Sequence, residues 1–390
     1  MGDYGQTFPK IYIHGQTLAL MRILYICSKL PVPVRSGVDL RVGIQVQALE
    51  KFCDVRVFAS DGPGVNQVVN ISHEDIKNII VNGAKPFARR FDAEREKVLK
   101  GTLEEFAPQI IIISKLESTT YLETIFSYKN ARLIMDLDES AHQVMEAFEK
   151  ISENPAQRML TRKYLQAVCD FEAEILPRFS QLWVSSELEV ERVQRNYSEM
   201  PELICVPNAI DFDNYETAPA EKVLQRVVFQ AGFAYGPNDD AAHFIIKDLL
   251  PIMQDFTFQF IGSNIPDWMK KSASAQVELL NNVDTIAPFL AQAGIVIIPL
   301  RAGAGTRLKA LEAFASKTAV VSTAIGVEGL GLVDGLHYLE ATEPQEFADA
   351  CRRLVADPDL YWRITEAAFE HAQANYSLGV VSSILKSAID

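Results

Sequence analysis

The residues that could do chemistry crowd into one stretch of the chain: Gly303, Gly305, Thr306, Arg307, Lys309 and Glu312. Two glycines two positions apart permit a tight turn through which backbone can approach a ligand closely. The β-branched run at 295–299 before them reads as a short buried strand. After them Thr306 is a candidate N-cap, and Leu308, Leu311, Phe314 and Ala315 recur at helical spacing. Strand, glycine turn and helix N-terminus make an anion cradle, with unpaired amide hydrogens and the positive end of the helix dipole aimed at one place. Arg307 and Lys309 in the first turn of that helix oppose the dipole, a conflict that a bound anion would reverse. Glu312, three residues after Lys309, lies on the same edge of the helix. An ionised carboxylate there suits the vicinal diol of a sugar, because it only accepts hydrogen bonds. The plain alternative is a βα turn with solvated cations and an exposed glutamate.

This stretch, with its continuation Val-Ser-Thr-Ala-Ile-Gly-Val-Glu-Gly-Leu at 321–330, resembles the donor-binding motif of the retaining glycosyltransferases of family 4 (glycosyl transferases group 1). The resemblance runs over nearly the whole chain from Met21 onward. It implies the α/β fold called GT-B, two doubly wound Rossmann-like domains facing a cleft. It also implies transfer of a hexose, with retention and without a metal, from a nucleotide sugar of UDP type. The implied acceptor is a saccharide or lipid-linked molecule in the synthesis of a bacterial polysaccharide or glycolipid. The family motif has two glutamates separated by seven residues. Glu312 matches the second, whereas Ala304 stands at the first, whose usual contact is the donor sugar. The loop 231–238 holds no Arg or Lys where similar enzymes often carry a cation for the diphosphate, which shifts that task to Arg307 and Lys309.

Residue by residue, the resemblance implies donor contacts at Gly232, Gly262, Val283, Gly305, Thr306, Arg307, Leu308, Lys309 and Glu312. Glu312 would hold the ribose, and the backbone around Val283 would read the base. Arg307 and Lys309 would stabilise charge growing on the leaving diphosphate. On the acceptor side it implies Gly37, Arg41, Asp138 and His142, with Asp138 counted among the catalytic residues because similar enzymes often carry a histidine near that position. No cofactor is expected beyond the donor itself. Two other readings are a GT-B sugar epimerase, which needs no acceptor, and a catalytically dead nucleotide-binding module of a polysaccharide assembly.

The elements that must position these residues follow from length and patterning. A chain of 390 residues with 48% hydrophobic content exceeds one ordinary core and calls for two domains. Residues 1–20 read as a tail without the features of a secretory signal. The resemblance implies that residues 21–209 form an acceptor-binding domain, residues 210–377 a nucleotide-sugar-binding domain, and residues 378–390 a helix crossing back to the first. Polar residues from Asn214 to Lys222 read as linker. Helices are expected at 41–52, 186–195 and 239–253, and a strand at 337–340.

The formal net charge of −14 argues against a broad nucleic-acid surface, which needs concentrated Lys and Arg. Five scattered cysteines without CxxC spacing fit a reducing cytoplasm. No apolar run of about 18 residues offers a transmembrane helix. The basic and aromatic stretch 85–100 offers weak peripheral contact with the inner face of a membrane, although its acidic residues favour a solvated helix. Asp136 and Asp138 form an Asp-x-Asp pair that suits a hard cation. Asp211 and Asp213 repeat the pattern, and the cradle cations make a metal dispensable. Beyond the strand at 133–136, Asp136, Asp138, Glu139 or His142 would face an acceptor, because ligands of open α/β sheets bind beyond the strands' carboxyl ends.

Overall fold

The computed structural model describes residues 20–30, 37–61, 86, 91–151, 155–215, 221–303 and 307–390. The expected tail up to residue 19, positions 85 and 87–90 of the basic stretch, part of the linker, and Ala304, Gly305 and Thr306 of the cradle lie outside them.

Two six-stranded parallel sheets follow one another along the chain. The first contains β1 (Met21–Cys27), β2 (Cys53–Ala59), β3 (Ile110–Ser114), β4 (Arg132–Asp138), β5 (Gln181–Val184) and β6 (Glu202–Cys205), in the order β2-β1-β3-β4-β5-β6. The second contains β7 (Val223–Gly232), β8 (Thr257–Ser263), β9 (Val277–Asn281), β10 (Ala293–Ile298), β11 (Ala319–Ser322) and β12 (Leu339–Glu340), in the order β12-β11-β10-β7-β8-β9. Parallel strands covered on both faces are apolar throughout rather than alternating. The run Ile110, Ile111, Ile112 and Ile113 in β3 and the wholly buried β10 have that character. Each sheet reverses its order once, between β1 and β3 and between β7 and β10. Such switch points open a crevice at the strands' carboxyl ends.

The domains are joined twice. Ile210 and the 376–378 segment run side by side, with the Ile210 amide donating to the Tyr376 carbonyl at 2.8 Å and the Leu378 amide to the Ile210 carbonyl at 3.2 Å. The helix Leu378–Ile389 then returns to the first sheet. Its Val381, Leu385, Ala388 and Ile389 are buried with Tyr25, Ile44, Ile112 and Trp183, and Arg132 donates to the Ala388 carbonyl.

Several elements differ from the sequence expectation for local reasons. The helix expected over 239–253 starts earlier, as Gly236–Phe244, and gives way to a π turn at Ile245–Leu249 and a 3-10 turn at Leu250–Ile252. Pro251 lacks an amide hydrogen and its ring crowds the preceding turn, so a regular α-helix cannot run through it. β12 is only two residues long. The helix Ala93–Phe106 buries Leu99, Leu103 and Phe106, and its Arg95 lies over the Phe58 ring and donates to the Ala59 carbonyl. That arginine faces inward, not toward a surface. All five cysteines are free thiols. Among the described residues no helix is long and apolar enough to cross a membrane.

The described residues of the expected linker are 214, 215, 221 and 222. Phe212–Tyr215 is a 3-10 turn. Lys222, just before β7, puts its ammonium among the carbonyls of Leu290, Ala291, Ala293 and Ser316 and the Thr318 hydroxyl, all within 2.8–3.4 Å. It therefore caps the C-terminal ends of two helices, Ala287–Gln292 and Leu308–Ala315, where a cation also complements the dipole. Lys222→Met should keep the aliphatic packing but strand those carbonyls, lowering stability by about 2–3 kcal/mol. Urea unfolding of the two proteins checks this, and equal midpoints would show that the cap contributes nothing.

Candidate active site at the domain junction

On the first domain, the carboxyl end of β4 carries the charged groups. Asp136 is fully buried, and Arg41, 2% exposed, grips both its oxygens through Nε at 3.1 and 3.2 Å and also bonds it through Nη2. The Arg41 Nη1 group donates to the Val206 carbonyl and Asn208 Oδ1, each at 3.0 Å. The register of β4 against β5 then shifts between Asp136 and Asp138. Asp138 has a positive φ of 62°, as does Lys115 just after β3. Such backbone costs on the order of 1–3 kcal/mol and persists only where surroundings enforce it.

Lys115 Nζ reaches Asp138 at 3.0 Å and Glu139 at 3.3 Å. Burial pushes the Asp138 carboxyl up, but Lys115 and then Arg41 outweigh it and hold the group below its usual range. Burial raises Glu139, against the pull of Lys115. Two adjacent carboxyls are thus driven apart by their surroundings, a pattern typical of reactive sites. The helix Ala141–Ile151 begins just beyond, its first amide held by the buried carboxylate of Glu172 at 2.8 Å.

On the second domain, a cavity of about 500 Å³ opens at the carboxyl ends of β7 and β10. Gly232, Gly262, Val283, Gly303, Arg307, Leu308, Lys309 and Glu312 line it, and Gly37 and Leu40 of the first domain close one side. A Cβ on Gly37 would lie 3.1 Å from Leu308 Cδ1, so the domains touch closely here. Gly262, at φ 154°, has no room for a Cβ, which would fall 1.8 Å from the Ala231 carbonyl oxygen. Residues at or beside the starts of three helices meet at this cavity: Gly37 of Gly37–Leu49, Tyr235 and Asn238 of Gly236–Phe244, and Leu308 and Lys309 of Leu308–Ala315. Their amides and dipoles favour an anion.

The side chains are arranged around that field. Glu312 accepts from the Tyr215 hydroxyl at 3.0 Å and from Gln230 Nε2 at 2.9 Å. Burial raises its carboxyl, although these two bonds and Lys309 oppose the rise. Half of a carboxylate's acceptor positions then remain for a ligand. Gln230 Oε1 and Asn238 Oδ1 are buried and make no hydrogen bond among the described residues. Lys309 is pushed down to about 8 by burial and then by Arg307.

Arg307 does not lie in the first helical turn as expected. The helix starts at Leu308, and Arg307 occupies the cap position. Its side chain is 6% exposed and turns under the loop after β11, donating through Nε to the Ile325 carbonyl at 2.8 Å. Burial lowers its pKa, with Tyr235, Glu328 and Glu139 acting in the opposite direction. The expected conflict between cation and dipole therefore rests on Lys309 alone, and Arg307 carries a desolvation cost instead.

The acceptor-side residues separate. Gly37 lines the cavity, but Arg41, buried, is spent on Asp136, the Val206 carbonyl and the Asn208 side chain. Asp138 is 6% exposed behind Lys115, whereas the Glu139 side chain, 22% exposed, is the more open carboxylate. His142 packs edge-on against Tyr197, ring centres 5.4 Å apart. Both carboxylates of the Asp-x-Asp pair have cationic partners, which is a different arrangement from a pair open to a metal. Sequence reasoning missed Tyr215, Gln230 and Lys115. Tyr215 sits in apparent linker, Gln230 at the end of a strand, and Lys115 in a loop without a motif, so none carries a local signal.

The comparisons agree with this geometry. Residues 225–357, the second sheet and its covering helices, match the family model described as Glycosyl transferases group 1. No curated protein matches the sequence. Among solved structures, sucrose-phosphate synthase from Thermosynechococcus elongatus is similar at TM-score 0.67 and 15% identity, over 95% of this chain and 98% of that one. Anabaena HepE, solved in complex with UDP and glucose, gives TM-score 0.65 and 14% identity, over 95% and 99%. A glycosyltransferase from Rickettsia africae gives 0.62 and 12%, over 95% and 97%. The fold is GT-B, two Rossmann-like domains across a cleft, and its second half carries the glycosyl transferases group 1 match.

Two measurements check the charges. Arg41→Leu leaves Asp136 buried without its cation and should cost about 3–5 kcal/mol in unfolding free energy. A variant as stable as wild type would mean that Arg41 is not the structural partner of Asp136. Binding of an anion that does not itself titrate in this range, such as sulfate, measured by calorimetry across pH, should be flat below about pH 7 and weaken as pH rises through 8. The ammonium is the anion-binding form, and above that value a proton must be taken up first, at about tenfold in affinity per pH unit. The stability of the unliganded protein should move the opposite way. Folding lowers the Lys309 value from 10.5 to about 8, so the cost of burying its charge is fully present below 8 and is relieved between 8 and 10.5. Lys309→Met should abolish the binding slope and remove Lys309's share of the stability slope, leaving the share of Lys222, which burial likewise lowers from 10.5 to about 8.

Proposed function

We propose that the chain is a retaining glycosyltransferase that moves a hexose from a UDP-linked sugar to a saccharide or lipid-linked acceptor, in the synthesis of a bacterial polysaccharide or glycolipid. The observation that carries this reading is the cavity where three helix starts, Lys309 and Glu312 meet beyond β7 and β10. The group 1 match over the same residues supports the reaction class, and the UDP and glucose in HepE support the donor type. In this reading Gly232, Lys309, Arg307 and the helix amides receive the diphosphate, Glu312 accepts from the ribose, and the Gly262 and Val283 backbone flanks the base. Charge grows on the β-phosphate as the glycosidic bond breaks. Preorganised donors in a site shielded from water stabilise that charge without reorganising. The departing phosphate takes the acceptor proton on the same face, so retention follows without a strong side-chain base. Glu139 and Lys115 meet the acceptor, and Asp138 orients Lys115. Ala304 leaves the donor sugar without the usual carboxylate contact, which places more of the sugar's recognition on the acceptor-side domain.

Incubation with a panel of nucleotide sugars, following slow nucleotide release without acceptor, tests the reading. Release from one UDP-sugar is expected. Conversion of the sugar to its epimer would assign an epimerase, and tight UDP binding with no turnover of any donor would assign a binding module. Glu312→Gln should weaken UDP binding by about 1.5–3 kcal/mol, the worth of hydrogen bonds to a charged group. Turnover should survive EDTA, because amides and cations receive the diphosphate. Loss on EDTA with recovery on Mn²⁺ would contradict the metal-independent mechanism.

A further inference from the structure

Four charged side chains run in line across the domain junction. Glu189, on the helix Glu187–Asn196 of the first domain, is 1% exposed. Its carboxylate accepts from the Ser140 amide at 3.4 Å and from Arg192 Nη1 at 2.7 Å. Arg192 Nη2 donates to Glu328 Oε1, in the second domain, at 2.9 Å. The other oxygen of Glu328 stands 3.8 Å from Arg307 Nη2. The line thus begins at the loop that follows Asp138 and Glu139 and ends on the cation expected to meet the diphosphate.

The two contacts of Glu328 are unequal. At 2.9 Å it is hydrogen-bonded to Arg192, and at 3.8 Å it is only attracted to Arg307. Its backbone has little freedom to move. Gly329, at φ 80°, passes so close to Ser186 that a Cβ would lie 3.3 Å from it, and the Leu330 carbonyl is held by His371 Nε2 at 2.8 Å. What remains adjustable is the Glu328 side chain, which can rotate between two guanidinium groups. Whichever arginine it joins more closely loses part of its attraction for another anion.

We propose that Arg192 is a positioning residue of the donor site: by drawing Glu328 to the domain junction it keeps that carboxylate from closing on Arg307, and so keeps Arg307 disposed toward the donor diphosphate. The inference rests on the donor-site reading above. It assigns a first-domain side chain, outside the cavity lining, to control of phosphate affinity in the second domain. Donor affinity then depends on the domains standing at the separation that lets Arg192 reach Glu328.

The test is UDP binding by calorimetry at fixed ionic strength, with inorganic pyrophosphate as a second probe. It compares wild type, Arg192→Gln, Glu328→Gln and the double variant, with unliganded melting curves as the check on folding. Arg192→Gln should weaken UDP and pyrophosphate binding about tenfold, roughly the worth of one charge-assisted hydrogen bond redirected. Glu328→Gln should bind as tightly as wild type or more tightly. The double variant should match Glu328→Gln, because no carboxylate is left to compete. That rescue is what a merely structural interface contact would not produce. Wild-type affinity in Arg192→Gln, or a double variant as weak as Arg192→Gln, overturns the role of Arg192 while leaving the donor site intact. Should Arg192→Gln fail to fold, Glu328→Gln still decides, since a loss of UDP affinity there contradicts competition. A wild-type protein that binds neither UDP nor pyrophosphate overturns the donor reading itself and this inference with it.

Discussion

A buried guanidinium holds the geometry of the first domain and of its border with the second. Arg41 has almost no contact with water, and Asp136 has none. Removing such a pair from water costs several kcal/mol per ion, so it persists only with near-complete hydrogen bonding. Here every direction is used: Asp136 takes Nε and one end of the fork, while the Val206 carbonyl and Asn208 take the other. Tyr25 adds a long contact to Asp136 and a short one to Gln45. The consequence is positional. One side chain fixes the helix that begins at Gly37, the end of β4 just before its bulge, and the backbone that leads into the second domain. The Gly37 edge of the cavity, the positive-φ Asp138 and the domain crossing are therefore mutually referenced through Arg41.

The second-domain side of the cavity works by a different balance. Its charges are only partly neutralised within the protein. Lys309 is depressed by burial and by Arg307, and Arg307 is depressed by burial, while Glu312 is raised. Each group sits in a state that a charged, hydroxylated ligand would improve. Helix starts add amides that also lack internal partners in the first turn. A structure that paired all these groups internally would be more stable and would bind nothing. The first-domain cluster shows the complementary design, with Lys115 committed to Asp138 and Glu139 and only the second of these open to solvent.

The departures from GT-B habit are related through charge. The loop at 231–238 lacks a cation, and the structure puts Tyr235 and Asn238 there, beside a helix start. Positive potential comes instead from that helix, from Lys309 and from Arg307. Arg307, however, is seated under the 325–328 loop, where the Ile325 carbonyl and the Glu328 carboxylate both act on it. The orientation of that arginine depends on a loop of its own domain and, through Glu328, on Arg192 of the other.

While the returning C-terminal helix followed only from the family resemblance, the sequence by itself determined the two-domain α/β architecture, nearly all the strands and the helix that follows Arg307. These are carried by contiguous residues: β-branched runs for buried parallel strands, helical spacing of apolar positions, and glycines where backbone must come close. That Leu308, Lys309 and Glu312 would line one cavity was legible because a strand end followed by a turn and a helix can be read over about 20 residues, whereas Gly232 and Gly262 followed only from the family resemblance. What the tertiary structure decided is which charged groups are free to act. Arg41 read as an acceptor contact and proved to be the buried partner of Asp136, 95 positions away. Tyr215 read as linker and proved to hold Glu312 across 97 positions, and Arg192 meets Glu328 across 136. Arg307 read as a first-turn cation and proved to be a buried cap. Pairings of this kind leave no periodic or local trace, because they depend on how the completed sheets face each other and on the desolvation each charge then meets.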